Sequence, residues 1–373
     1  MANRNRRIID LGAIGRNMAL IRKQVPSTAG VIAVVKADAY GHGAAEVSRA
    51  ALDNGADSLA VAAAAEGSYL RGKGITAPIM VLGAVSEEEA AEGVASGLVQ
   101  TVCSPEMVRF CERAAEKTGR TALVQLKVDT GMGRIGVRSR EERDRVLEEL
   151  RRSRHVLLTG AFTHFADADG DEDGLCYTRE QYRRFRELTE DLPRDVRRHC
   201  ANSAAIHRFP EMAMDAMRAG ISLYGYPPVA EAEGLQMCME WRADISYIKE
   251  LPAEEPVSYG RTWQADTCRR IATITCGYGD GYHRAASGKA QVLIRGRRFP
   301  VVGRICMDQM MADITGAEDI QAGDEAVLIG RSGDEMITAE DLARWCGTIS
   351  YEVLLSASSR VERTFVGKAG EAE

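Results

Sequence analysis

From the start of the chain to about residue 225, short apolar or β-branched runs alternate with longer runs of helical period. The strand-like runs fall at 31–35, 58–61, 79–82, 99–103, 123–128, 156–163, 198–201 and 212–217. Amphipathic Ala/Glu/Arg-rich segments sit between them, for example 86–96, 105–117 and 140–152. Ser86 before three glutamates and Ser104 before Pro105 are the residue types that start helices. About eight strand–helix units in series predict a closed parallel barrel. A doubly wound open sheet is the rival, but no G-x-G-x-x-G follows the first strand.

After Pro227-Pro228 the helical period fades. Short strand-like runs appear at 243–248, 270–275, 292–294, 300–302 and 326–329, with one helix predicted at 339–346. The expected fold class is therefore α/β: an N-terminal (β/α)8 TIM-type barrel over 1–230 and a C-terminal β-rich domain over 231–373. The first ten residues are candidates to pair with the second domain.

Composition narrows the class. The 373 residues carry 27% charged and 45% hydrophobic side chains, ordinary for a globular chain. A net charge of −6 argues against a nucleic-acid partner, which needs a basic face. No apolar run reaches membrane-spanning length. The basic stretch 1–7 is followed by Asp10 and Gly12 rather than an apolar segment, so no signal peptide is read. Nine scattered cysteines without a C-x-x-C pair read as free thiols, hence a reducing cytoplasm.

Barrels of this kind do their chemistry where strands end. Lys36 ends the first predicted strand, Lys127 and Asp129 the fifth and His164 the sixth. Asn202 and Ser203 follow the seventh strand, and Arg218 the eighth. Five such placements in register point to one pocket. Lys36 emerges from the run Val31-Ile32-Ala33-Val34-Val35, where desolvation favours the neutral amine that makes a Schiff base. By position alone, a surface salt bridge is as good a reading. The glycine-punctuated Ala37-Asp38-Ala39-Tyr40-Gly41-His42-Gly43 favours approach to a bulky anion. Asn202-Ser203 and Gly220-Ile221-Ser222 are turns whose amides can hold phosphate, although Asn202-Ser203 alone reads better as a helix cap. A lone His164 on an apolar strand is more often a core histidine than a ligand, and no second ligand stands at metal spacing, so no metal is expected. Tyr259 and Tyr278 lie in Gly-rich loops, where tyrosines usually serve packing or interfaces.

Taken together, these segments resemble the alanine racemases, a family of fold-type III pyridoxal-phosphate (PLP) enzymes. The likeness runs from Ile9-Asp10-Leu11 to Thr348-Ile349-Ser350-Tyr351-Glu352. Its most specific stretches are Val35-Lys36-Ala37-Asp38-Ala39-Tyr40-Gly41-His42-Gly43 and Asp129-Thr130-Gly131-Met132-Gly133-Arg134. Arg218-Ala219-Gly220-Ile221-Ser222-Leu223-Tyr224-Gly225 and Cys306-Met307-Asp308-Gln309 add to them. The resemblance implies that Lys36 joins PLP covalently and that Tyr40, Ser203, Ile221 and Tyr351, with Asn202 and Gly220 beside them, hold its phosphate. It implies that Arg218 donates to the pyridine nitrogen and His164 stacks on the ring. Arg134 and the Met307 backbone would meet the substrate carboxylate, Tyr278 would line the entrance and Asp308 support the site. Lys127 matches a position often N-carboxylated in the family. Tyr259 of a partner subunit would be the second base, making a homodimer with composite sites. The implied reaction interconverts L- and D-alanine for peptidoglycan. A broader serine/alanine racemase, a fold-type III decarboxylase and a non-catalytic PLP-binding protein are the alternatives. Arg218 argues against the decarboxylase, whose pyridine nitrogen needs an acid partner. Ser350 stands where asparagine is equally expected.

Overall fold

The computed structural model describes residues 4–367; residues 1–3 of the basic N-terminal stretch and residues 368–373 lie outside the described residues. The chain opens on strand β1 (Asn5–Asp10), followed by the helix Leu11–Gln24. Eight parallel strands then close into a barrel: β2 (Gly30–Val34), β3 (Ser58–Val61), β4 (Ile79–Ala84), β5 (Val99–Val102), β6 (Ala122–Lys127), β7 (Val156–Phe162), β8 (Arg197–His199) and β9 (Ala216–Ala219). Closure is direct, since β2 pairs with both β3 and β9. Barrel and strand count are those expected from the periodicity.

Helix starts follow the residue types that predict them. Ser86 Oγ accepts the Glu89 amide at 3.2 Å, and the Glu89 carboxylate accepts the Ser86 amide at 2.9 Å. Ser104 accepts from the Met107 amide, with Pro105 in the first turn. The last barrel strand departs from expectation. Residues Pro210–Met212 form a 3-10 turn, and the strand starts only at Ala216. Met212 and Ala213 are buried without pairing, so an apolar run there mimicked a strand. Arg218 consequently lies inside β9 rather than after it.

The remaining strands are β10 (Met239–Leu251), β11 (Pro256–Val257), β12 (Trp263–Gln264), β13 (Arg269–Ile274), β14 (Gln291–Ile294), β15 (Arg297–Val302), β16 (Met310–Asp313), β17 (Glu325–Ser332), β18 (Glu335–Ile337) and β19 (Glu362–Val366). Nine strands form one sheet in the order β18-β17-β14-β15-β16-β13-β10-β1-β19. β1 pairs antiparallel with β10 and parallel with β19. Met239, Trp241, Ala243 and Ile245 of β10 are buried in strict alternation with charged or small neighbours. Trp241 Nε1 donates to Asn5 Oδ1 at 2.7 Å and meets Tyr282 edge-on at 5.9 Å.

The chain divides into two compact units. One comprises Ala13–Ala39 and Gly43–Gln236; the other comprises the segment through Gly12, Tyr40–His42 and the segment from Met237. All nine cysteines are free thiols. No helix among the described residues is long and apolar enough to cross a membrane.

Candidate active site

Lys36 follows the first barrel strand and opens a left-handed turn. Ala37, Asp38, Ala39 and Tyr40 all have φ between +51° and +53°. Gly41 and Gly43 beyond them are also at positive φ, so four residues with side chains share the unusual backbone with the glycines. Each of the four costs about 1–2 kcal/mol relative to a right-handed conformation. Specific contacts hold the turn in place. Glu66 Oε1 accepts the Ala37 amide at 2.6 Å while Oε2 accepts the Ala62 amide at 2.7 Å. Asp38 accepts the Ala44 amide through its carboxylate and the Gly43 amide through its carbonyl. Burial, together with the charge of Arg134, pushes the Lys36 amine below its usual range, and Glu66 opposes that shift. The neutral amine needed for imine chemistry is thereby favoured.

The barrel interior holds two buried cationic side chains, Lys127 and Arg218. Lys127 ends β6, 3% exposed, with Nζ donating to the Val128 carbonyl at 2.8 Å and lying 5.2 Å from the Phe162 ring centre. Burial, then Arg218, pushes its amine down to about 7. Arg218 is also 3% exposed. Its Nη1 approaches His199 Nδ1 at 2.7 Å, and its Nη2 donates to the carbonyls of Thr163 and Cys200 at 2.8 Å each. His164 Nδ1 is 3.3 Å from the same Nη2. Burial brings Arg218 down only to about 10, so it stays charged at neutral pH. His164 is held neutral by burial and by the nearby charges of Arg218, Arg134, Lys127 and Lys36.

Arg134 is exposed, on a loop whose shape Asp129 fixes by accepting the Gly131 and Gly133 amides at 3.1 and 3.0 Å. Asn202 accepts the Ala205 amide at 3.1 Å and is thus engaged as a helix cap. Ser203 Oγ accepts the Gly220 amide at 2.8 Å and keeps its own O–H to donate. Gly220 precedes the 3-10 turn Ile221–Tyr224, where Ile221 is buried. Lys36, Lys127, Arg134, His164, Ser203, Arg218, Gly220 and Ile221 therefore all belong to the barrel unit.

Tyr40, Tyr259, Tyr278, Met307, Asp308 and Tyr351 belong to the other unit. The Tyr40 and Tyr351 rings lie 5.9 Å apart, and burial raises the Tyr40 phenol above its usual range. Tyr278 and Gly279 donate their amides to the carbonyls of Cys306 and Met307 at 3.0 and 2.7 Å. A Cβ on Gly277 would fall 2.4 Å from both carbonyl oxygens, so only glycine permits this approach. Arg360 ties Asp308 at 2.8 Å to the buried Asp280 at 3.3 Å. Tyr259 is 70% exposed, in a loop where Ser258 (φ +68°) and Arg261 (φ +47°) are left-handed.

Several positioning side chains escaped the sequence reading: Glu66, Gln125, Gln181, His199 and Arg360. Gln181 accepts the Ala166 amide and donates to Thr130 Oγ1 and the His164 carbonyl. Only His199, the last residue of β8, stands at a strand end, and none sits in a glycine motif, so tertiary contact reveals them.

The residues present suit PLP. A lysine of lowered basicity can form an imine, a hydroxyl beside a glycine turn can meet phosphate, and a guanidinium with five N–H groups has only three short protein acceptors.

Family models describing the alanine racemase N-terminal and C-terminal domains match residues 9–228 and 238–365. An alanine racemase of Symbiobacterium thermophilum is 44% identical, with 96% of each chain covered. The crystal structure of alanine racemase from Bacillus anthracis with bound L-Ala-P matches at TM-score 0.92 and 36% identity, covering 100% of this chain and 97% of that one. A histidine racemase of Leuconostoc mesenteroides matches at TM-score 0.89 and 28% identity, covering 98% of both.

Proposed function

From its membership of the alanine racemase family, to which this chain belongs, we propose that it racemises alanine by two bases, Lys36 and the partner subunit's Tyr259, with PLP as cofactor. The enzyme is an isomerase acting on L- and D-alanine. We assign it a cytoplasmic homodimer that supplies D-alanine to peptidoglycan, with a barrel domain to residue 230 and a second domain from 231.

Lys36 holds the cofactor and moves a proton at Nζ on one face of the substrate; the Tyr259 phenol serves the opposite face. PLP, when bound, supplies an electron sink for the pair left when the α-proton departs. Ser203, Tyr40, Tyr351 and the Gly220–Ile221 turn, with Asn202 capping the adjacent helix, receive the phosphate. Arg218 would face the pyridine nitrogen. A guanidinium remains protonated and gives no proton to that nitrogen, so the sink stays weak and side reactions are limited. His164, kept neutral, would pack on the ring. Arg134 and the Met307 backbone take the substrate carboxylate, with Lys127 orienting Arg134 once carboxylated. Tyr278 and Tyr351 narrow the entrance, and Asp308 supports it through Arg360.

What supports this reading above all is the low-basicity Lys36 amine in the same unit as the buried Arg218, whose guanidinium keeps N–H groups beyond its three short protein contacts. The purified protein is expected to show a Schiff-base absorption band that borohydride erases and peptide mapping fixes on Lys36. Lys36→Ala should lose the band and about 10³-fold or more in kcat. A colourless protein after incubation with PLP, or a Lys36→Ala variant of native activity, refutes the proposal. A kcat/KM for serine or histidine equal to that for alanine favours the broader racemase instead.

A further inference from the structure

We propose that Gln125 is a positioning residue: its side-chain oxygen holds His199 as the Nε2–H tautomer, which keeps Nδ1 an acceptor for Arg218. This deepens the proposed function and depends on it only for the catalytic consequence.

Arg218 has nothing but N–H groups to offer. Its Nη1 lies 2.7 Å from His199 Nδ1, so that nitrogen carries a lone pair. A neutral imidazole with a bare Nδ1 bears its proton on Nε2. Nε2 in turn lies 2.7 Å from Gln125 Oε1 and donates into it. Donor meets acceptor at both contacts, Gln125 Oε1 with His199 Nε2 and His199 Nδ1 with Arg218 Nη1. A flipped Gln125 amide would set N–H against N–H, and a proton on Nδ1 would face Arg218. Burial and the charges of Arg218, Arg197 and Lys127 keep the ring neutral.

The barrel is built around this arrangement. Gln125 on β6 pairs with Gly160 on β7, and the register of the two strands slips between Val124 and Gln125. A Cβ on Gly160 would come within 3.1 Å of Gln125 Cδ and 2.7 Å of the Arg197 carbonyl, so the glycine makes room for the amide. The His199 ring is stacked on Phe162, with centres 5.1 Å apart and planes 8° from parallel. It is 1% exposed and cannot trade Gln125 for water. Fixing the tautomer fixes the direction of Arg218, the group assigned to the cofactor nitrogen.

The test uses the full-length protein with 15N-labelled histidine. His199 should show a pyrrole-type Nε2 and a pyridine-type Nδ1, unchanged from about pH 6 to 9. Gln125→Glu keeps the shape and the acceptor, so the ring should keep the native tautomer, a second proton on Nδ1 being opposed by Arg218. Gln125→Met keeps the volume and removes the acceptor, so the two ring nitrogens should average between tautomers. Gln125→Met should lower kcat about ten-fold, with KM for alanine within about two-fold. A native His199 protonated on Nδ1, or a Gln125→Met variant with the native His199 spectrum, overturns the proposal. The native spectrum decides even if neither variant folds, and it needs no turnover, so it can fail while the racemase reading stands.

Discussion

Lys127 illustrates how one side chain can make stability depend on pH. Its folded value, about 7, lies below the ordinary 10.5 because burial and Arg218 disfavour the charge. Between those values the unfolded chain binds a proton that the folded chain does not, so stability rises with pH across that window. Below about pH 7 both states are protonated and the penalty for burying the charge is felt in full. In buffer stripped of carbon dioxide, the Tm of the native protein should therefore gain on that of Lys127→Met as pH rises from about 7 to 10. A constant difference would show that the amine is not buried as a base. Glu66 works at the same scale. Its two oxygens satisfy two amides and hold a turn that intrinsic backbone preference opposes.

Elements differ in what their ends tolerate. The helix Glu87–Ala95 starts with a reciprocal cap between Ser86 and Glu89, neither of them assigned a part in the candidate site. Ser86→Ala should cost about 1 kcal/mol in chemical denaturation and leave kcat unchanged. Gly281 follows the turn Tyr278–Asp280 with φ +100°, and a Cβ there would lie 1.9 Å from the Ser356 carbonyl oxygen. Strain and clash act together, so Gly281→Ala should cost about 3 kcal/mol or more. A loss no larger than that of Ser86→Ala would mean the two loops move apart freely.

For the whole molecule, the proposed composite site makes a quantitative demand. Tyr259, Met307 and Ile349 are 70%, 52% and 59% exposed in the single chain, an apolar set suited to a partner subunit. Inactive Lys36→Ala and Tyr259→Phe chains, mixed equally and allowed to exchange, should regain about a quarter of native activity. Half of the dimers are then mixed, and each mixed dimer has one intact site of two. No recovery after exchange is proven by mass would mean that each chain serves its own site.

The sequence alone determined the barrel, its strand order and the strand ends where Lys36, Lys127 and His164 emerge, because hydrophobic period and chain order are local properties. Helix caps at Ser86, Ser104 and Asn202 were legible for the same reason. The short edge strands β18 and β19 were not, since three to five residues with charged neighbours give too little period to separate from a loop. Only the tertiary structure decided the rest. The left-handed turn after Lys36 exists because Glu66, twenty-nine positions away, accepts the Ala37 amide. The alignment of Gln125, His199 and Arg218 exists because closing the barrel brings β6, β8 and β9 around one buried interior. Hydrogen bonds between residues distant in sequence leave no periodic trace in the chain, and their strength arises only when the fold has removed the water that would compete for them.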